Sequence, residues 1–255
     1  MSDSSGYVFG AAMLGTAVSG LLGIAEPAEA ASVTNATFTF ESASTYSTSY
    51  GTSYGPLLAE SGTGSAYGFH ANAATFNFAT GNGSANSLVS GAWSAGDYYQ
   101  FSVPTTAIQN VIVSFDQWSS YSLLSDFSVY YSTDGTNFVS YTNYAAKSGS
   151  PVTITSTAPG GTSGVYANSW TTIRSYSEYR YSFDLSAVAA LNDNPNAAFR
   201  LVLNTIGDTT SYTSLSTATS RVDNVVVSGT TIPEPTSVAL MTVGAAGLLF
   251  RRRQS

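Results

Sequence analysis

About ten segments that alternate apolar with polar residues, a near absence of helical periodicity and long Ser/Gly-rich connections predict an all-β chain. That many short strands without a fixed repeat point to a single β-sandwich with jelly-roll connections, since a propeller or solenoid would show its period. Composition agrees. Of 255 residues only 9% are charged, against roughly 25% in an ordinary soluble domain, while Ser and Thr number 72 and Tyr 17. The net charge of -7 argues against a nucleic-acid partner, which needs clustered Lys and Arg. With no Cys and one His, disulfides, thiolate metal sites and most catalytic triads are hard to build.

The strands are read at 36–41, 74–79, 97–103, 111–118, 126–132, 137–144, 152–157, 179–185, 198–204 and 221–227. Between the fifth and sixth, Thr133-Asp134-Gly135-Thr136 is a hairpin turn whose Asp-Gly pair suits positive φ. The one helical hint is 186–191, with Ser186 as cap and Pro195 beyond its end. Segments 42–65, 81–90 and 148–169 are expected to be loops.

Both ends carry address labels. An apolar run over 7–24 leads to Ala28-Glu29-Ala30-Ala31, a small-x-small cleavage pattern at Ala28 and Ala30 that marks 1–31 as a signal peptide with its helix. Its first five residues carry an acid and no Lys or Arg, a departure from that pattern. At the other end stand Ile232-Pro233-Glu234-Pro235, an apolar run over 238–250 and then Arg251, Arg252 and Arg253. The run is short for a membrane span of roughly 20 residues, and the arginines set its orientation by the positive-inside rule. Pro233 and Pro235 fix φ and lack an N–H, which keeps the segment extended.

This order over 231–255 resembles the PEP-CTERM sorting signal of Gram-negative bacteria. The resemblance implies signal peptidase and exosortase as processing partners, a short transmembrane helix that anchors the chain transiently in the inner membrane, and a mature protein at the cell surface or outside the cell. It also implies a setting of exopolysaccharide and biofilm. The sandwich is then expected over 32–230. Within it, Tyr130-Tyr131-Ser132-Thr133-Asp134-Gly135, Phe183-Asp184-Leu185-Ser186 with Phe199-Arg200-Leu201, and Asp223-Asn224-Val225 resemble phrases of secreted bacterial jelly-roll domains. Such domains include surface proteins and carbohydrate-binding modules. In the latter, an early acid and an Asp on the last strand share a structural calcium ion, and here Glu41 and Asp223 match those positions; otherwise no cofactor is expected.

Sugar rings stack on flat aromatic side chains, so Tyr46, Tyr50 and Tyr54, spaced by four in a polar segment, are the candidate glycan platform, and Trp118 and Tyr121, in or beside loops, are further candidates. Gly51-Thr52-Ser53-Tyr54-Gly55 has the form of a nucleophile elbow, but that elbow works between a buried strand and a helix. Its flanks here are Ser, Thr and Tyr, so the match is coincidental, and His70 is expected to be a hydrogen-bonded strand residue. The acids are scattered, with no paired array for glycoside hydrolysis. The sequence therefore predicts a non-enzymatic exported surface or matrix protein, with a carbohydrate-binding module as the alternative and a hydrolase far behind. Three or more exposed coplanar aromatics on one sheet face or loop rim favour the module, a carboxylate pair in a deep cleft favours an enzyme, and a featureless polar surface favours the structural role.

Overall fold

A computed structural model describes residues 30–42, 47–120, 124–148, 152–154, 164–166, 170–206 and 215–233. Ala30–Ile232 form one compact unit, separate from Met1–Glu29 with Pro233–Ser255. The two terminal helices predicted from sequence lie outside the described residues. Among the described residues no helix is long and apolar enough to cross a membrane.

The fold is all-β. In chain order the strands are β1 (Ser32–Phe38), β2 (Ser49–Leu58), β3 (Ser61–Gly62), β4 (Ser65–Ala79), β5 (Ser87–Trp93), β6 (Tyr98–Ser102), β7 (Ile108–Ser119) and β8 (Asp126–Ser132). They continue with β9 (Val139–Ala145), β10 (Lys147–Ser148), β11 (Val152–Ile154), β12 (Gly164–Tyr166), β13 (Arg180–Asp184), β14 (Ala198–Leu203) and β15 (Leu215–Thr231). Thirteen of them are hydrogen-bonded into one sheet, and β11 pairs with β12 apart from it.

That sheet folds over itself because β4 serves two layers. Its first half pairs with β6 (Phe69↔Tyr98) and its second half with β5 (Phe76↔Ser90). The first layer runs β13-β7-β15-β5-β4, and the second runs β4-β6-β14-β8-β9. At the bend the ring of Phe76 lies where a Cβ on Gly68 would come within 2.3 Å, so this corner needs glycine. The inner faces meet across the core: Phe38 of β1 and Phe101 of β6 have ring centroids 5.4 Å apart, and Phe115 of β7 and Tyr144 of β9 are 5.6 Å apart. Trp93, Leu88, Val113, Phe127, Phe199 and Leu201 fill the space between and are fully buried.

Several sequence readings shift. The 42–65 segment is not all loop but contains β2 and β3, and β4 begins nine residues before 74. The predicted loop 81–90 gives up its last residues to β5. The helix expected at 186–191 is a turn followed by one 3-10 turn, Ala189–Leu191, because Asn192 and Pro195 leave no room for a second α-turn. The hairpin forms as expected, with Gly135 at φ 78. Asp134 secures it by accepting the N–H groups of Thr136 (2.8 Å) and Asn137 (2.7 Å), and the Asn137 amide holds its carboxyl well below the usual carboxylate range.

Candidate functional site

The two outer faces of the sandwich differ, and the difference locates the site. On the first layer, the β13-β7-β15 register sets Arg180, Asp116 and Asp223 on one rung. Both carboxylates are fully buried. A β-bulge at Asn224, whose φ is 48, lets Asp223 and Asn224 reach the same face. Arg180 Nε donates to Asp116 Oδ1 at 2.9 Å, and Asn82 Nδ2 and Asn224 Nδ2 each donate to Asp116 Oδ2 at 2.9 Å. Asp223 Oδ2 accepts the Asn82 N–H (2.8 Å) and the Ser84 hydroxyl (2.7 Å). Burial, with the Asp116 charge adding to it, pushes the Asp223 carboxyl up to about 6 against these hydrogen bonds.

Loop 81–86 and the segment around Tyr176 form a roof over this face. Asn82 Nδ2 donates to Tyr176 O (3.0 Å), the Tyr176 N–H donates to Asn82 Oδ1 (2.8 Å), and the Gly83 N–H donates to Thr171 O (2.9 Å). Trp118, Trp170, Tyr176 and Tyr179 pack together beneath it, with Arg221 over the Trp118 ring at 4.7 Å.

This geometry corrects one expectation and details another. Glu41 and Asp223 both hold loop 81–86, Glu41 by accepting the Asn86 N–H at 2.8 Å and Asp223 by accepting the Asn82 N–H at 2.8 Å. The hydrogen-bond partners of Asp116 and Asp223 are N–H and O–H donors, whereas Ca²⁺ takes oxygen lone pairs. Among the described residues no group of three or more His, Cys, Asp or Glu could hold a metal. Trp118 is buried to 6% exposure and cannot stack on a ligand.

His70 sits inside the sandwich. Its Nδ1 lies 2.8 Å from Asp97 Oδ2 and its Nε2 3.1 Å from Ser90 Oγ, which in turn lies 3.1 Å from the Tyr99 hydroxyl. The order is that of a Ser-His-Asp triad, but all of its members are buried and Tyr99 already occupies the Ser90 hydroxyl. Tyr99 donates onward to Ser220 O at 2.7 Å. The chain of contacts ties β4, β5, β6 and β15 together.

The second layer is different. Its register places three rows of side chains on the outer face. One row reads Phe69, Tyr98, Val202, Ser128, Asn143; the next Tyr67, Gln100, Arg200, Tyr130, Ser140; the third Ser65, Ser102, Ala198, Ser132. Tyr67, Tyr98, Gln100, Arg200 and Tyr130 are half-buried, and Phe69 is exposed. Phe69 and Tyr98 stack at 4.9 Å with their planes 19° apart. Arg200 lies over Tyr98, its guanidinium carbon 3.9 Å from the ring centroid, and under Phe138 at 3.5 Å, while its Nε donates to Gln100 Oε1 at 2.8 Å. The third row runs into a groove of about 560 Å³ lined by Ser65, Ser102, Pro104, Gly135, Pro195 and Asn196. Five strands at about 4.8 Å spacing make each long row roughly 19 Å from end to end.

The tyrosines singled out from sequence lie elsewhere. Tyr46 and Tyr121 are outside the described residues. Tyr54 is on β2 and stacks on Phe76 at 5.7 Å with its hydroxyl donating to Ser47 O, so it is a packing residue rather than a platform. Tyr50, 75% exposed, stands beside a depression of about 560 Å³ lined by Ala73, Thr75, Asn77 and Val89. Of the processing residues, Ala28, Glu234, Pro235, Arg251, Arg252 and Arg253 fall outside the described residues, and Ala30 is exposed. Sequence reading passed over the row residues. Their signal was the alternation Tyr67-x-Phe69 and Tyr98-x-Gln100, which gives a face of a strand but not its neighbours.

Residues 231–253 match the family model of the PEP-CTERM protein-sorting motif. The chain thus carries a signal for export and sorting to the cell envelope. No curated protein matches the chain. Among solved structures, the N-terminal cellulose-binding domain of β-1,4-glucanase C from Cellulomonas fimi aligns at 11% identity and a TM-score of 0.31, over 60% of this chain and 81% of that one. The K2 cleaved adhesin domain of Lys-gingipain aligns at 12% identity and a TM-score of 0.28, over 77% of this chain and 97% of that one.

Proposed function

We propose that the protein is an exported, non-catalytic surface or extracellular-matrix component that binds a polysaccharide chain along the outer face of its second layer. On this reading exosortase removes or exchanges the tail after transient anchoring in the inner membrane, and the sandwich acts outside the cell.

The observation that carries the reading is the row of half-buried Tyr67, Gln100, Arg200 and Tyr130 with exposed Ser140, set against an opposite face that is roofed. Aromatic rings offer flat apolar surface for sugar C–H faces, while amide, guanidinium and hydroxyl groups between them can take the sugar hydroxyls. Rows at strand spacing suit an extended polymer better than a single sugar. None of the three rows contains a carboxylate, and Asp126 and Asp134 lie at opposite ends of β8 rather than as a pair, so a catalytic reading has no paired acids on this face.

The test is affinity electrophoresis of the protein isolated from cells, run through gels that each contain one polysaccharide. Tyr67→Ala and Tyr130→Ala are each expected to weaken retardation by up to about tenfold, the worth of one aromatic contact. Retardation that survives both changes and is lost on Tyr50→Ala would move the site to the depression beside β2.

A further inference from the structure

We infer that Arg200 is a receptor for a sugar carboxylate, so that the polymer on this face is an acidic polysaccharide containing uronic acid residues; the inference rests on the binding face proposed above.

A guanidinium has five N–H donors in a planar fork and no acceptor. In Arg200 one of them, Nε–H, is spent on Gln100 Oε1. Tyr98 and Phe138 cover its two flat faces at 3.9 and 3.5 Å. The terminal nitrogens hydrogen-bond to no described residue, and among the described residues the ion pairs are His70 with Asp97 and Arg180 with Asp116. Two other arginines of the sandwich are engaged differently: Arg180 on its carboxylate, Arg221 on Thr80 O and the Trp118 ring.

This pattern is unusual for an acidic chain, which carries 15 Asp and Glu against 8 Lys and Arg. No other position of the three rows is charged. The positive charge at the centre of the face is therefore not paired within the rows, and the Asp134 carboxylate, which accepts the Ser132 hydroxyl of the third row at 2.9 Å, is engaged in the hairpin by Thr136 and Asn137. The rings strip water from both faces of the fork and Gln100 fixes its rotation, which leaves the end-on edge with its paired N–H groups. A carboxylate matches that edge with two parallel hydrogen bonds, and stripping the faces beforehand strengthens the pair. A neutral sugar hydroxyl would use one donor and leave the charge uncompensated.

The experiment compares polygalacturonate, the same polymer fully methyl-esterified, and hydroxyethylcellulose, each titrated into the protein isolated from cells and followed by calorimetry. Polygalacturonate is expected to bind, more weakly as NaCl is raised. Esterification, or Arg200→Gln, should lower the affinity by about 10- to 100-fold, as loss of a charge-assisted pair does. Arg200→Lys should recover only part of it, because an ammonium neither stacks nor forks. Equal binding of the free and esterified polymers by the unaltered protein overturns the inference whatever the variants do. In that outcome, loss of binding on Tyr67→Ala keeps the binding face. Failure of all three polymers to bind overturns the inference and the face together.

Discussion

Asn82→Ala tests whether the roof over the first layer is held by side-chain hydrogen bonds or merely rests there. The substitution deletes three bonds: Nδ2 to Asp116 Oδ2 (2.9 Å), Nδ2 to Tyr176 O (3.0 Å) and the Tyr176 N–H to Oδ1 (2.8 Å). It leaves the Asn82 backbone contacts to Asp223 and Asn224 in place. A bond to a charged group is worth about 1.5–3 kcal/mol and a neutral one about 1 kcal/mol, and the Tyr176 N–H and C=O each lose a bond, the C=O keeping the Tyr179 N–H at 3.3 Å. The sum is roughly 4 kcal/mol. For a domain of this size that corresponds to a fall in Tm of roughly 8–16 °C. Urea unfolding followed by tryptophan fluorescence reads it, since Trp118 and Trp170 lie under the roof. The midpoint should drop with an unchanged slope. Asn82→Asp sharpens the test by setting a third carboxylate against Asp116 and Asp223; it should be worse than alanine at neutral pH and improve on acidification. A loss under about 1 kcal/mol for Asn82→Ala would refute the reasoning, because water would then replace all three bonds and the roof would need another anchor.

Other expectations follow from the buried acids. Asp223 ionises near 6 when folded and at 3.8 when unfolded, so the folded state holds the proton more tightly. Stability from this group is greatest below pH 4, declines as the pH rises to 6 and is lost above it, by on the order of 3 kcal/mol; the unfolding free energy of the wild type relative to Asp223→Asn measures this, and a flat difference between pH 4 and 7 contradicts it. Asp97→Ala strips acceptors from His70, from the Ala71 N–H (2.7 Å) and from the Ser94 N–H (2.6 Å), and should cost about 3–5 kcal/mol in the same urea assay. EDTA should leave the Tm unchanged, since donors rather than lone pairs surround Asp116 and Asp223; a fall that added Ca²⁺ reverses would restore the calcium expectation.

Much of the fold was legible because alternation survives in strands whose inner face is apolar, as in Val111, Val113 and Phe115 of β7. It was not legible in β2, Ser-Tyr-Gly-Thr-Ser-Tyr-Gly-Pro-Leu-Leu, which lies at an edge, pairs only with β4 and is buried at Leu57 alone. There the backbone ladder forms the strand and its composition reads as loop. The site was harder still. Arg200 acquires its meaning from Tyr98 and Phe138, 102 and 62 residues away in sequence, and register across β6, β14 and β8 decides that meeting. The acids show the same limit. Glu41 and Asp223 both hold loop 81–86, but Asn82 and Asp116 complete that region, and nothing local in the chain joins all four.

The ends of the sandwich give the last prediction. The Ala31 N–H donates to Thr231 Oγ1 at 3.0 Å and the Thr231 N–H donates back to Ala31 O at 2.8 Å. One residue further, the Ile232 N–H donates to Ala107 O at 3.0 Å. Among the described residues, hydrogen bonding to the sheet thus begins at Ala31 and stops at Ile232, the last residue of the first address label and the second residue of the other. Signal cleavage after Ala30 would turn the Ala31 N–H into an ammonium that can still donate to Thr231, and removal of the tail at the Pro-Glu-Pro segment would cost no strand pairing. A cut two residues further in at either end would remove part of the β1–β15 rung Ser32↔Thr230, and with it a closing pair of the first layer. Intact mass of the protein recovered from outside the cell should therefore run from Ala31 to a residue between 232 and 235. A mature chain that still carries Arg251, Arg252 and Arg253 would contradict processing of the tail, and one that starts beyond Ser32 would contradict the boundary that the hydrogen bonds draw.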